Sequence, residues 1–205
     1  MTKRIGIFSG VFDPVHAGHI GFALEAARKA NLDTVYLLIE AKPRRKAGVT
    51  HLAHRLAMAK LATVAHAKLE VLELPDSQFS VSKTLPRLKK RFPGDELVLL
   101  VGSDTLEHMA QWPLIDRLLE QMELVVGCRF DTPSQLVKQL ISTLPAKPQK
   151  LHILLSPYPQ FSSGQIRQAI KTHHDTSQVL PSLRTYITNN WLYVSPSASS
   201  SRSSS

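Results

Sequence analysis

Short runs rich in Val, Ile and Leu recur along the chain at Arg4 to Phe8, Thr34 to Ile39, Leu69 to Leu74, Glu96 to Val101, Glu123 to Cys128 and Leu151 to Leu155. Each is a strand candidate by length and by its β-branched content. Between them the pattern is helical, at Gly18 to Ala30, His51 to Ala65, Val81 to Arg91, Pro113 to Gln121, Pro133 to Ser142 and Ser162 to Lys171. A further helix is predicted at Pro181 to Asn190, ending at the pair Asn189-Asn190. Alternation of strand and helix predicts an α/β fold: a doubly wound parallel sheet whose crossovers are right-handed, followed by C-terminal helices. In such sheets the ligand lies at the carboxyl ends of the strands, so function is expected in the strand-to-helix loops.

The 205 residues are 43% hydrophobic, enough for one sizeable core, and residues 1–194 are read as one domain. Residues 195–205 are Ser-rich and are expected to form a disordered tail. The 25 Lys and Arg against 16 Asp and Glu give a net charge of +9, which favours anionic partners. Nucleotides, pyrophosphate, nucleic acid and anionic membrane all suit that charge. The single cysteine, Cys128, has no intrachain partner for a disulfide and sits in the apolar run Leu124 to Cys128, as an inert strand residue would. The apolar run after Lys3 and Arg4 is broken by Ser9, Gly10 and Asp13, which makes a poor signal peptide, and no stretch approaches transmembrane length. A cytoplasmic protein with no membrane partner is therefore expected.

Chemistry concentrates where the first strand enters Gly10-Val11-Phe12-Asp13-Pro14-Val15-His16-Ala17-Gly18-His19 and a helix begins at about Gly18. Unpaired N–H groups and the helix dipole at such a terminus favour phosphate, and glycine lets a bulky ligand approach the backbone. His16 and His19, three apart on the opening turn, can both direct ring N–H groups at one phosphate. The same pair could instead ligate a metal or serve as buried structural residues. No third His or Cys follows at a recognised spacing, so no protein-held metal is expected, and a Walker A loop is absent.

The segment Gly6 to His19 resembles the G-x-F-D-P-x-H-x-G-H signature of the nucleotidyltransferase superfamily. A second landmark, Phe161-Ser162-Ser163-Gly164-Gln165-Ile166-Arg167, resembles that superfamily's I-S-S-T-x-I-R motif, which opens a helix and binds ATP phosphates. Gly164 stands where a threonine is usual and removes one hydroxyl. Between them Val101-Gly102-Ser103-Asp104-Thr105-Leu106, followed by Gln111-Trp112, resembles the landmarks of the nicotinate and nicotinamide mononucleotide adenylyltransferases. The resemblance spans residues 4 to 193 and implies a Rossmann-like fold of nucleotidyltransferase type.

What the resemblance implies for the site is specific. His16, His19 and Arg167 would be catalytic. Ser9, Gly10, Val11, Phe12, Gly18, Gly102, Asp104, Ser162 and Ser163 would bind ATP, with Asp104 accepting from ribose hydroxyls or else capping a helix. Lys46, Arg55, Ser80, Thr84, Trp112 and Arg129 would bind the acceptor, Trp112 by stacking on a pyridine ring or else packing in the core. The basic loop Pro43 to Lys46 resembles a P-P-H-K loop without its histidine, and Pro113 replaces a second aromatic residue common in bacterial members. The implied reaction joins the AMP moiety of ATP to nicotinate or nicotinamide mononucleotide, releases pyrophosphate and belongs to NAD biosynthesis. Mg²⁺ would arrive with ATP. Alternatives are a related enzyme with another phosphorylated acceptor, or a non-catalytic nucleotide or nucleic-acid binding module suggested by Arg44-Arg45-Lys46 and Lys89-Lys90-Arg91. Retention of both histidines speaks against nucleic acid as the partner.

Overall fold

The computed structural model describes residues 1–42, 48–128, 134–155 and 162–194. Its strands are β1 (Arg4–Gly10), β2 (Thr34–Ile39), β3 (Leu69–Leu72), β4 (Glu96–Gly102), β5 (Glu123–Cys128) and β6 (Leu151–Leu155). The helices are α1 (Ala17–Lys29), α2 (Leu52–Thr63), α3 (Val81–Arg91), α4 (Ser103–Met109), α5 (Ile115–Leu119), α6 (Ser134–Ser142), α7 (Ser163–His173) and α8 (Pro181–Asn189). The strands form one sheet in the order β3-β2-β1-β4-β5-β6, and every pair is parallel. The predicted doubly wound sheet is thus present. Its topological switch point lies between β1 and β4, where successive crossovers run to opposite sides and leave a crevice.

Both faces of the sheet are covered, which is why its strands read as nearly continuous apolar runs. In β4, Val98 and Leu100 join the core formed with α1, α2, α7 and α8, whereas Leu97, Leu99 and Val101 join the core formed with α3, α4, α5 and α6. Cys128 is buried in the second core, and burial pushes its thiol pKa up, in keeping with an inert packing residue. Helix α1 is seated by close approach at Gly127: a β-carbon there would lie 2.6 Å from the ring of Phe22. That contact sets the height of α1 over the sheet, and with it the position of the first turn of α1 at the crevice.

The opposite end of the sheet is tied by charge. Arg4 at the start of β1 forks onto Glu123 at the start of β5, with N–O distances of 2.7 and 3.2 Å, and also pairs with Glu96 on β4. Burial alone would raise the Glu123 pKa, but the hydrogen bond and charge of Arg4 outweigh it and hold the carboxyl below its ordinary value. A depressed carboxylate pKa stabilises the fold above the unfolded value, and this contribution disappears as pH falls through the folded one. Glu123→Gln is expected to lower stability by about 2 kcal/mol at neutral pH. In denaturant titrations from pH 7 to pH 3, the variant should lose less stability than the parent on the acid side.

Candidate active site

β1 ends at Gly10, and the chain turns sharply before α1. Phe12 adopts φ +49°, in the left-handed region, and is held there by its ring, which packs edge-on to Phe8 at 5.1 Å and to His19 at 5.0 Å. The Asp13-Pro14 peptide is cis. Asp13 is 2% exposed, yet its acceptor atoms are occupied. Oδ1 accepts from the Tyr193 hydroxyl at 2.7 Å, Oδ2 from the Thr50 N–H at 3.0 Å, and its carbonyl from Arg167 Nη1 at 2.6 Å. Ser163 Oγ donates to the neighbouring Pro14 carbonyl at 3.0 Å. The two landmarks that lie about 150 residues apart in sequence therefore meet, with the first turns of α1 and α7 converging on one loop.

His16 is the N-cap of α1, in extended conformation, and His19 sits in the first turn with its ring 3.7 Å from that of His16. The His16 backbone N–H donates to His19 Nδ1 at 3.2 Å. With Nδ1 an acceptor, neutral His19 carries its proton on Nε2, which becomes the donor nitrogen. Gly18 makes room for this arrangement, because a β-carbon there would lie 3.1 and 3.2 Å from Cε1 and Nδ1 of His16. A cleft of about 230 Å³ opens beside His16, Ala17 and Gly18, and the α7–α8 connection forms its other wall. Arg184 braces that wall by donating to the carbonyls of Ser177 and Val179.

The remaining expected residues have the following surroundings. Ser162 caps α7, its hydroxyl accepting from the Gln165 N–H at 3.2 Å while the Gln165 side chain accepts from the Ser162 N–H at 2.8 Å. Gly102 is the N-cap of α4 and faces open space, and Asp104 is exposed in the first turn of that helix. Trp112 is half-buried against the second core, its ring 5.7 Å from that of buried Phe79. The Ser9 hydroxyl points at Glu40, the Gly10 carbonyl accepts from the Glu40 N–H, and the Val11 carbonyl accepts from Arg55. Phe12 is 3% exposed, so its side chain belongs to the core.

Three residues expected at the acceptor are engaged with protein groups. Arg55 is 1% exposed, and its guanidinium donates to the carbonyls of Thr50, Val11, Glu40 and Ala41 at 2.7–3.0 Å. It staples the ends of β1 and β2 to α2 from behind. Burial pulls its pKa down, opposed chiefly by the charge of Asp13. Thr84 is 0% exposed and accepts from the Ser80 N–H at 3.0 Å, while the Ser80 hydroxyl accepts from the Lys83 N–H at 3.3 Å. Both hydroxyls cap α3, which competes with any ligand. Lys46 and Arg129 lie outside the described residues, as does Phe161 of the second landmark. Sequence reading missed the roles of Asp13, Tyr193 and Glu40.

The cytidylyltransferase-like family pattern matches residues 7–169, which makes the chain a nucleotidyltransferase by class. The nicotinate-nucleotide adenylyltransferase of Bacillus subtilis (strain 168) is 31% identical, over 94% of this chain and 100% of the relative. Two solved structures of Plasmodium falciparum nicotinic acid mononucleotide adenylyltransferase, one complexed with NaAD and one with APC, share the fold. Their TM-scores are 0.76 and 0.75, at 18% and 17% identity, over 93% of this chain and 97% of each structure. The chain belongs to the nicotinate-nucleotide adenylyltransferase family, an enzyme family of NAD biosynthesis. Among the described residues no helix is long and apolar enough to cross a membrane.

Replacing Gly18 by alanine isolates the histidine geometry from stability. Alanine is the better helix former by about 1 kcal/mol, so the thermal midpoint of Gly18→Ala should not fall. Turnover should drop about tenfold, because displacing a positioned group by a few tenths of an ångström degrades preorganised catalysis.

Proposed function

We propose that residues 1–194 form one catalytic unit that transfers AMP from ATP to nicotinate or nicotinamide mononucleotide in the cytoplasm. The observation that carries this reading is the junction of α7 with the Asp13-Pro14 carbonyls through Ser163 and Arg167, which brings a guanidinium to the loop that presents His16 and His19. A triphosphate laid across the first turns of α1 and α7 meets helix N-termini, two imidazoles and one arginine, all suited to anionic oxygens. Such a convergence serves ATP better than it serves a neutral ligand.

In the reaction a phosphate oxygen of the mononucleotide attacks the α-phosphorus of ATP. A new phosphoanhydride bond forms as the bond from the α-phosphorus to the bridging oxygen breaks, and that oxygen leaves with pyrophosphate, carrying the electron pair. His19 Nε2–H and Arg167 donate to the oxygens on which charge accumulates, and His16 holds His19 in the required tautomer through its backbone N–H. Gly10, Val11 and Gly102 contribute backbone at the crevice, Asp104 accepts from ribose hydroxyls, and Trp112 offers a face to the pyridine ring. Mg²⁺ arriving with ATP would neutralise part of the charge on the phosphates.

Incubation with Mg-ATP and each mononucleotide separately, followed by chromatographic detection of dinucleotide and pyrophosphate, tests reaction and acceptor together. His19→Ala is expected to reduce turnover at least ~100-fold, the loss of one oxyanion donor. A His19→Ala variant with near-normal turnover would remove His19 from the mechanism.

A further inference from the structure

Arg55 is buried in the first turn of α2, yet the carbonyls it bonds belong to three separate segments. Nη1 donates to Val11 at 2.9 Å and to Glu40 at 2.7 Å, Nη2 to Ala41 at 3.0 Å, and Nε to Thr50 at 2.8 Å. Val11 is the first residue beyond β1, Glu40 and Ala41 are the first two beyond β2, and Thr50 stands two residues before α2. One guanidinium therefore gathers the carboxyl ends of two strands, at the end of the sheet where the crevice opens. An ammonium could not do this, because its three N–H groups radiate from a single atom whereas the planar fork reaches several ways at once. Thr50 closes the arrangement into a ring: its carbonyl accepts from Arg55 while its N–H donates to Asp13 Oδ2 at 3.0 Å. Val11 and Asp13, on either side of Phe12, are thus tied to the same bracket. Beyond Asp13, Pro14 and Val15 are both buried and leave no slack before His16, whose N–H orients His19. Among the described residues this cation bonds neutral carbonyls alone, which makes it costly to desolvate, and for packing an apolar side chain of similar volume would serve as well.

We propose that Arg55 is a positioning residue for catalysis: through Val11, Thr50 and Asp13 it sets the place of His16 and His19, without touching either substrate. The inference rests on the proposed adenylyl transfer. Helix N-termini hold the ATP phosphates in the ground state and tolerate a small shift of the loop, whereas donors aimed at charge that develops in the transition state do not. Loss of the fork is therefore expected in kcat far more than in the KM for ATP. A residue that only braced the fold would instead lower the folded fraction and leave the turnover of the folded molecules unchanged.

The test compares the full-length parent with Arg55→Lys and Arg55→Ala, assayed with Mg-ATP and the mononucleotide that the parent uses, the thermal midpoint of each being measured beside its kinetics. Arg55→Lys keeps the charge and most of the volume but not the fork. Its kcat should fall about 100-fold, with the KM for ATP changed by less than about threefold. Arg55→Ala leaves a cavity for methylguanidinium, which should raise kcat roughly tenfold in a saturable manner, whereas methylammonium should not. A folded Arg55→Lys with kcat within about threefold of the parent overturns the inference while leaving adenylyl transfer intact. Where Arg55→Lys does not fold, Arg55→Ala decides alone: kcat restored by methylguanidinium supports the inference, and kcat restored equally by methylammonium, or by neither, overturns it. A parent that forms no dinucleotide from either mononucleotide removes the proposed function, and this inference with it.

Discussion

Asp13 is where separated parts of the chain are joined, and the active loop depends on it. A carboxylate at 2% exposure is tolerable only when its oxygens are occupied and its charge is balanced. Here the partners come from the segment before α2, through Thr50, and from the chain beyond α8, through Tyr193, with Arg55 as the nearby cation. The carbonyl of the same residue receives Arg167 from α7. Tyr193 is itself half-buried, and desolvation together with the Asp13 charge pushes its pKa far above the ordinary phenol range, so its hydroxyl stays protonated and donating. The carboxylate and its partners Thr50 and Tyr193 fix where His16, His19 and Arg167 can be.

The consequences run outward to the chemistry. Fixing Asp13 fixes Pro14 and the entry of the chain into α1, which places His16 at the N-cap and lets its N–H define the tautomer of His19. Fixing the Asp13 and Pro14 carbonyls also docks the first turn of α7, because Arg167 and Ser163 bond to them directly. Preorganisation of this kind is what electrostatic catalysis of phosphoryl and nucleotidyl transfer requires, since donors already in place need no rearrangement as charge develops. Phe12 shows the cost: its left-handed backbone is retained only because its ring is wedged between Phe8 and His19.

The strands were legible in sequence because a parallel sheet covered on both faces demands unbroken apolar runs, and β2, β5 and β6 fall where those runs predict. Helix α4 entered the sequence reading only as the helix that Asp104 would otherwise cap: it is seven residues long and starts directly out of β4 with Gly102 as its cap, so no periodicity has room to develop. At the site, the histidine loop and the second landmark stood out because glycine, histidine and serine at a helix start are a costly pattern without a ligand. Arg55, Ser80 and Thr84 have structural work that no local pattern announces, and for a physical reason. A guanidinium satisfies four carbonyls as readily as a phosphate, and a hydroxyl caps a helix as readily as it touches a ring. The Asp13–Tyr193 bond spans 180 residues and carries no local signal at all.

The central claim is that the buried carboxylate of Asp13, held by the far end of the chain, organises the site. A double-mutant cycle on Asp13→Ala and Tyr193→Phe, read as unfolding free energy by denaturant titration, tests it most directly. A buried hydrogen bond to a charged group predicts an interaction energy of about 1–3 kcal/mol, with the double variant little less stable than Asp13→Ala alone. Additive losses, within about 0.5 kcal/mol, would contradict the account.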